Sequence, residues 1–188
     1  MKQLSGYFTT KQLLEQGLSR YKIKILCEED TLLKIKSGLY RNMDMFYQDQ
    51  NFLDVCQAIP TAIITSYSAL FYYGLSTHIP TKVFVCIPYN GRVNKVIYPP
   101  TVQYRKDDTQ FKDNIITEKR GNYSFRIYDM EKVVCDTLKD RKTMGMDTVK
   151  EALREYLKKK DKNMPKLYEV AKKDKVFDVL DEFLTVMR

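Results

Sequence analysis

Thr9-Thr10-Lys11-Gln12-Leu13-Leu14-Glu15-Gln16-Gly17-Leu18-Ser19-Arg20-Tyr21-Lys22-Ile23-Lys24-Ile25-Leu26-Cys27 holds two helix starts with a turn between them. Thr9 or Thr10 suits an N-cap, because a hydroxyl can accept from a backbone N–H that the first helical turn leaves unpaired. Leu13 and Leu14 follow, and Gly17 fits the left-handed position just past a helix end. Ser19 repeats the pattern as N-cap of a second helix running through Cys27. On that helix Ile23, Leu26 and Cys27 share one face, which leaves Arg20, Tyr21, Lys22 and Lys24 on the others, near its N-terminal end.

Beyond Glu28-Glu29-Asp30 the pattern changes. Leu32-Leu33-Lys34-Ile35-Lys36 alternates, Ser37-Gly38 marks a turn, and Leu39-Tyr40-Arg41 completes a β-hairpin with a basic tip. Helix, turn, helix and hairpin is the order of a winged helix-turn-helix, expected here over residues 1–45. In that fold the second helix enters the major groove and the hairpin lies against the backbone. Arg20, Tyr21, Lys22 and Lys24 are therefore expected to reach base edges or phosphates of double-stranded DNA. Lys34, Lys36 and Arg41 are expected to neutralise flanking phosphates. The same fold also serves as a protein-docking module.

Residues 42–50 are polar and lack periodicity, which predicts a linker and a second domain over 51–188. The N-terminal unit has an apolar set of its own in Leu13, Leu14, Leu18, Ile23, Leu26, Leu32 and Ile35. In the second unit Phe52, Val55, Cys56 and Ile59 predict a helix stopped by Pro60, and residues 68–73 another stopped by Gly74. Strands are expected over 82–87, 101–105, 115–117 and 123–127. From Asp129 onward the chain reads as helical, with Asp129 and Asp147 as N-caps and a last apolar face of Val176, Val179, Leu180, Phe183, Leu184 and Met187. The expected class is α+β, with a small sheet and a helical C-terminal end. The densest basic stretch, around Lys158, Lys159, Lys160 and Lys162, suits a second phosphate-contacting surface, a dock for an acidic or RNA partner, or a solvated helix end.

The formal net charge of +8 favours a polyanionic partner. The four cysteines lie far apart without disulfide or zinc spacing and are expected to be reduced packing residues. His78 is the only histidine, so it makes neither a triad nor a metal site by itself. Gly91, in Pro88-Tyr89-Asn90-Gly91-Arg92, signals a hairpin or loop and not a phosphate cradle. No Walker motif or dinucleotide fingerprint is present, so no catalytic residue, metal or cofactor is expected. Residues 1–6 lack an apolar leader and no run is long enough to span a bilayer, which predicts a cytoplasmic protein with no membrane partner.

The run from Gly6 to Ser19, with Leu26-Cys27-Glu28-Glu29-Asp30 and Leu32-Leu33-Lys34-Ile35-Lys36-Ser37-Gly38-Leu39-Tyr40, resembles the N-terminal winged helix of AbiEi-type antitoxins. Pro60-Thr61-Ala62-Ile63-Ile64 with Ser68-Ala69-Leu70-Phe71-Tyr72-Tyr73-Gly74-Leu75 is similar to the helix-and-turn signature that opens the second part of that family. Tyr128-Asp129-Met130-Glu131-Lys132-Val133-Val134-Cys135-Asp136 is similar to its later helix start, so the likeness extends over nearly the whole chain. Asp30 stands where many relatives carry glycine, and little chain precedes Gly6 for the extra helix that many winged domains possess. The resemblance implies an antitoxin that represses its own operon. It also implies a functional partner that is a nucleotidyltransferase-like toxin, countered without a stable complex through the C-terminal domain. The alternative is a winged-helix interaction module that binds RNA or a protein.

Overall fold

The computed structural model describes residues 6–91, 95–107 and 111–186. Strand β1 (Tyr7–Thr9) leads directly into helix α1 (Thr10–Glu15), and α2 (Arg20–Glu28) follows after a turn. Thr9 is the cap of α1: its hydroxyl accepts from the Gln12 N–H, and the Gln12 side chain accepts from the Thr9 N–H, a reciprocal capping box. Gly17 takes φ +86°, the left-handed turn that lets the chain leave α1 abruptly. Ser19 caps α2 by accepting from the Lys22 N–H at 3.1 Å, and Asp30 supplies a left-handed residue (φ 53°) after it.

Strands β2 (Leu32–Lys36) and β3 (Leu39–Asn42) form the hairpin, and β1 pairs with β3 to give a three-stranded antiparallel sheet of order β1-β3-β2. Successive strand residues point to opposite faces. Phe8, Leu32 and Tyr40 join Leu13, Leu18, Ile23, Leu26 and Cys27 in a small core under α1 and α2. Tyr7, Leu33, Ile35 and Leu39 face the other way and belong to the large core of the molecule. Ile35 therefore departs from the expected small-core set, as does Leu14, which is 38% exposed.

Residues 42–50 are a packed joint and not a free linker, since Asn42, Met45 and Gln50 are buried and the Met45 carbonyl accepts from Arg41 Nη1 at 2.7 Å. Helix α3 (Gln50–Ala58) stops before Pro60, whose ring disfavours a helical residue ahead of it. Then come β4 (Ile63–Ile64), α4 (Ser66–Tyr72), β5 (Val83–Pro88), β6 (Thr101–Lys106), β7 (Ile115–Arg120) and β8 (Tyr123–Tyr128). The strands form a mixed sheet of order β6-β5-β4-β8-β7. All four expected strands are present. A further strand, β4, lies at the centre of the sheet and pairs antiparallel with β5 (Ile63 with Cys86) and parallel with β8 (Ile64 with Ile127). Two buried residues are too short a run for alternation to reveal. Because β5 and β6 are parallel, the turn at 88–91 is a loop and not a hairpin.

The C-terminal end is helical: α5 (Met130–Lys139), α6 (Arg141–Met144), α7 (Met146–Lys158), α8 (Met164–Lys173) and α9 (Phe177–Val186). Asp129 caps α5 by accepting from the Lys132 N–H at 2.8 Å. Asp147 lies inside the first turn of α7, past the cap position that Gly145 occupies. Residues 1–5, Arg92 and Met187, which figured in the sequence reading, lie outside the described residues. Helix α5 is buried from Met130 to Leu138 and packs against α4, α7, α8 and α9. Its Lys132 ammonium is matched by Asp136 at 2.9 Å and Asp174 at 2.5 Å, with Lys106 on Asp136 at 2.6 Å. The fold is thus α+β, with two sheets and a helical C-terminal end. Among the described residues no helix is long and apolar enough to cross a membrane.

Candidate nucleic-acid interface

Helix α2 buries Ile23 and exposes Arg20, Tyr21, Lys22 and Lys24. Tyr21 is 74% exposed, so its ring is available to a partner and is not held in the core. No acidic residue stands in the first turn of the helix, so its positive dipole end and its cations add in the same direction. Lys24 reaches Glu28 at 3.6 Å, but both side chains are more than half exposed, and such a pair is easily broken.

The hairpin is different. Lys34 is exposed, as expected. Lys36 is partly buried and donates from Nζ to the Ala58 carbonyl at the end of α3, where a cation complements the helix dipole. Arg41 is 5% exposed and forms an ion pair with Asp54, Nε to Oδ1 3.0 Å. The expectation that Lys36 and Arg41 lie on a phosphate backbone is therefore corrected. Arg41 shares the face of β3 that carries Leu39, and α3 covers that face. Its charge serves the joint between the two sheets.

Around Asp54 the joint is densely bonded. Tyr7 Oη donates to Asp54 Oδ1 at 2.5 Å, and Gln50 Nε2 donates to Asp54 Oδ1 and to Tyr7 Oη, each at 2.9 Å. Burial and the neighbouring carboxylate push the Tyr7 phenol far above its ordinary value. The Asp54 carboxyl is also raised, because burial outweighs the bonds from Tyr7 and Gln50 and the Arg41 charge.

No protein-family model and no curated protein matches this chain. Its functional reading rests on its own residues and on the motif resemblance in its sequence.

The lysine-rich stretch is heterogeneous. Lys158 is paired with Glu155 at 2.6 Å and Lys162 donates to the Lys159 carbonyl at 3.2 Å. Farther on, Lys166 is bound to Asp129 at 2.7 Å and Lys173 to Asp113 at 2.5 Å. Lys158, Lys160 and Lys162 are exposed, whereas Lys159 is half-buried. They lie at the end of α7 and in the loop after it, on an element separate from α2.

His78 is exposed and stands edge-on to the Tyr67 ring, centroids 5.4 Å apart. Burial pushes the Cys56 thiol up to about 11, and Cys27, Cys86 and Cys135 are raised as well. Among the described residues no three metal-binding side chains converge. The sequence reading missed the Asp54 network and the Lys132 cluster. Each joins charges from separate elements, Arg41 with Asp54, and Lys106 and Lys132 with Asp136 and Asp174, so no local pattern in the sequence marks it.

Proposed function

We propose that the N-terminal unit is a winged helix-turn-helix that binds double-stranded operator DNA through α2. The observation that carries this reading is the exposed set Arg20, Tyr21, Lys22 and Lys24, gathered at the N-terminal end of a helix that Ile23 anchors from behind. Arginine and lysine there suit guanine edges or phosphates. Lys34 extends the positive surface onto the hairpin, and the net charge of +8 supplies the long-range attraction. A gel-shift titration with the chain's own promoter region tests the proposal. Saturable binding that survives excess unrelated duplex is expected, and binding indifferent to sequence would defeat the operator assignment.

The biological role proposed with it is that of an antitoxin and autorepressor which counters a nucleotidyltransferase-like toxin. The support is the motif resemblance to AbiEi-type antitoxins over nearly the whole chain. The cognate toxin is expected next to this gene, and co-expression should restore growth.

A second reading is favoured by one feature of the hairpin. With Lys36 and Arg41 tied to α3, Lys34 is the sequence-predicted cation on it that stays exposed, so less of a phosphate-gripping wing is present than the sequence suggested. An interaction module that presents α2 to RNA or to a protein needs no such wing. Competition of the labelled promoter by an RNA hairpin separates the two readings.

A further inference from the structure

Helices α7 and α9 leave between them a trough of about 710 Å³, with Leu157, Val179 and Phe183 half-buried in it and Met146 and Val186 exposed at its edge. Its residues recur at helical spacing on each wall: Met146, Lys150, Arg154 and Leu157 on α7, and Val179, Glu182, Phe183 and Val186 on α9. The adjoining faces of the same helices are already used. Val149, Ala152, Leu153 and Tyr156 of α7, with Leu180 and Leu184 of α9, are buried in the large core. Leu157, Val179 and Phe183 lie beside that buried stripe, half-buried and packed against the core, so the apolar surface continues from the core into the trough. Met146 is 46% exposed.

The rim supplies the second observation. Arg141, Lys150, Arg154 and Lys158 border the trough, and Glu182 is the one carboxylate among its described lining residues. An apolar floor with a cationic rim is complementary to a helix that is apolar on one face and acidic on its flanks. We infer that this trough docks an acidic amphipathic helix of a partner protein. A second copy of this chain is a poor occupant, because two such rims would set cations against cations. A bilayer needs a broad protruding apolar surface, whereas among the described lining residues only Met146 and Val186 are exposed apolar groups and Leu157, Val179 and Phe183 are half-buried. These residues belong neither to α2 nor to the hairpin, so the inference stands or falls independently of DNA binding.

The test uses the full chain and a fluorescein-labelled synthetic helix of about 15 residues, with leucines at i, i+3, i+4 and i+7 and glutamates beside them. Fluorescence anisotropy should show saturable binding. Met146→Glu should weaken it by about tenfold or more. Arg154→Glu combined with Lys150→Glu should weaken it similarly and should improve binding of the same helix with lysine in place of glutamate. These positions are exposed or at the rim, and circular dichroism checks that each variant is folded; if Met146→Glu fails to fold, the charge swap still decides. Undiminished binding by the variants would overturn the inference, as would equal binding of a scrambled acidic peptide without an apolar face. So would absence of peptide binding together with Met146-dependent binding to phosphatidylglycerol vesicles, which would assign the trough to membranes. Met146-dependent dimerisation in sedimentation would likewise overturn it in favour of a second copy.

Discussion

Arg41 Nε lies 3.0 Å from Asp54 Oδ1, with both side chains buried, and this pair fastens hairpin strand β3 to helix α3. Removing one partner of a buried ion pair strands the other charge, at a cost of roughly 3–5 kcal/mol. Asp54→Ala is therefore expected to lower unfolding stability by about that amount in urea titrations. Asp54→Asn, which keeps an acceptor for Tyr7 and Arg41, should cost less. A fully stable Asp54→Ala protein would mean that the pair is not a joint.

Alanine at Arg20, Lys22 and Lys24 together should abolish specific binding to the promoter in gel shifts while leaving the melting temperature nearly unchanged, because all three are exposed. Each bidentate pairing with a base edge is worth about 1–3 kcal/mol. Operator affinity unchanged in the folded triple variant would remove α2 from the interface.

Lys34→Ala is expected to act on salt dependence. Removing one phosphate-neutralising cation reduces the slope of log affinity against log salt by about 0.9. Arg41→Ala should lower stability instead, with the slope of the remaining folded protein unaltered. The contrast is measurable in filter-binding titrations between low and moderate salt, and a slope change for Arg41 equal to that for Lys34 would contradict the buried assignment.

A fragment beginning at Asn51 would retain Asp54 but lose Tyr7, Arg41 and Gln50, and with them the side-chain bonds that satisfy this carboxylate in the structure. It would also lose Ile35 from the large core. Its thermal midpoint is expected to fall well below that of the full chain in circular dichroism, so point variants in α2 are the better way to separate repression from toxin neutralisation. A fragment as stable as the full chain would restore the simple linker.

Glu151 of α7 accepts from the Thr77 N–H and hydroxyl, each at 2.8 Å, and from the Ser76 hydroxyl at 2.9 Å. The Thr77 backbone bond, followed by the hydroxyl bonds, holds its carboxyl below the usual range. A depressed folded value means that the stabilisation is present above the unfolded value, about 4.3, and is lost as pH falls through the folded value. The gap in melting temperature between wild type and Glu151→Gln should therefore be widest near neutrality and close in acid. An identical gap at both ends would show that the carboxylate charge is irrelevant.

Sequence alone carried the local elements well where one short-range device sufficed. The Thr9 and Ser19 caps, the Gly17 turn and the Asp129 cap each act within one helical turn, so their residue types announce them. Alternation found β5, β6, β7 and β8 but not β4, whose two residues gain their place by pairing with strands on both sides. Of the candidate interface, Arg20, Tyr21, Lys22, Lys24 and Lys34 are exposed as expected, whereas Lys36 and Arg41 are not.

That division has a physical cause. Helix caps, turns and strand alternation are set by hydrogen bonds and sterics among residues a few positions apart, and the sequence by itself determined those along with the side of α2 that is apolar. Which face of the hairpin meets water depends on a segment that arrives from elsewhere. Within the hairpin alone Arg41 reads as the open side of a wing and Ile35 as part of the small core, but α3 and the second sheet close over both. Only the tertiary structure decided that, because burial is a property of what packs against a residue, and nothing within β2 or β3 encodes the arrival of Asp54.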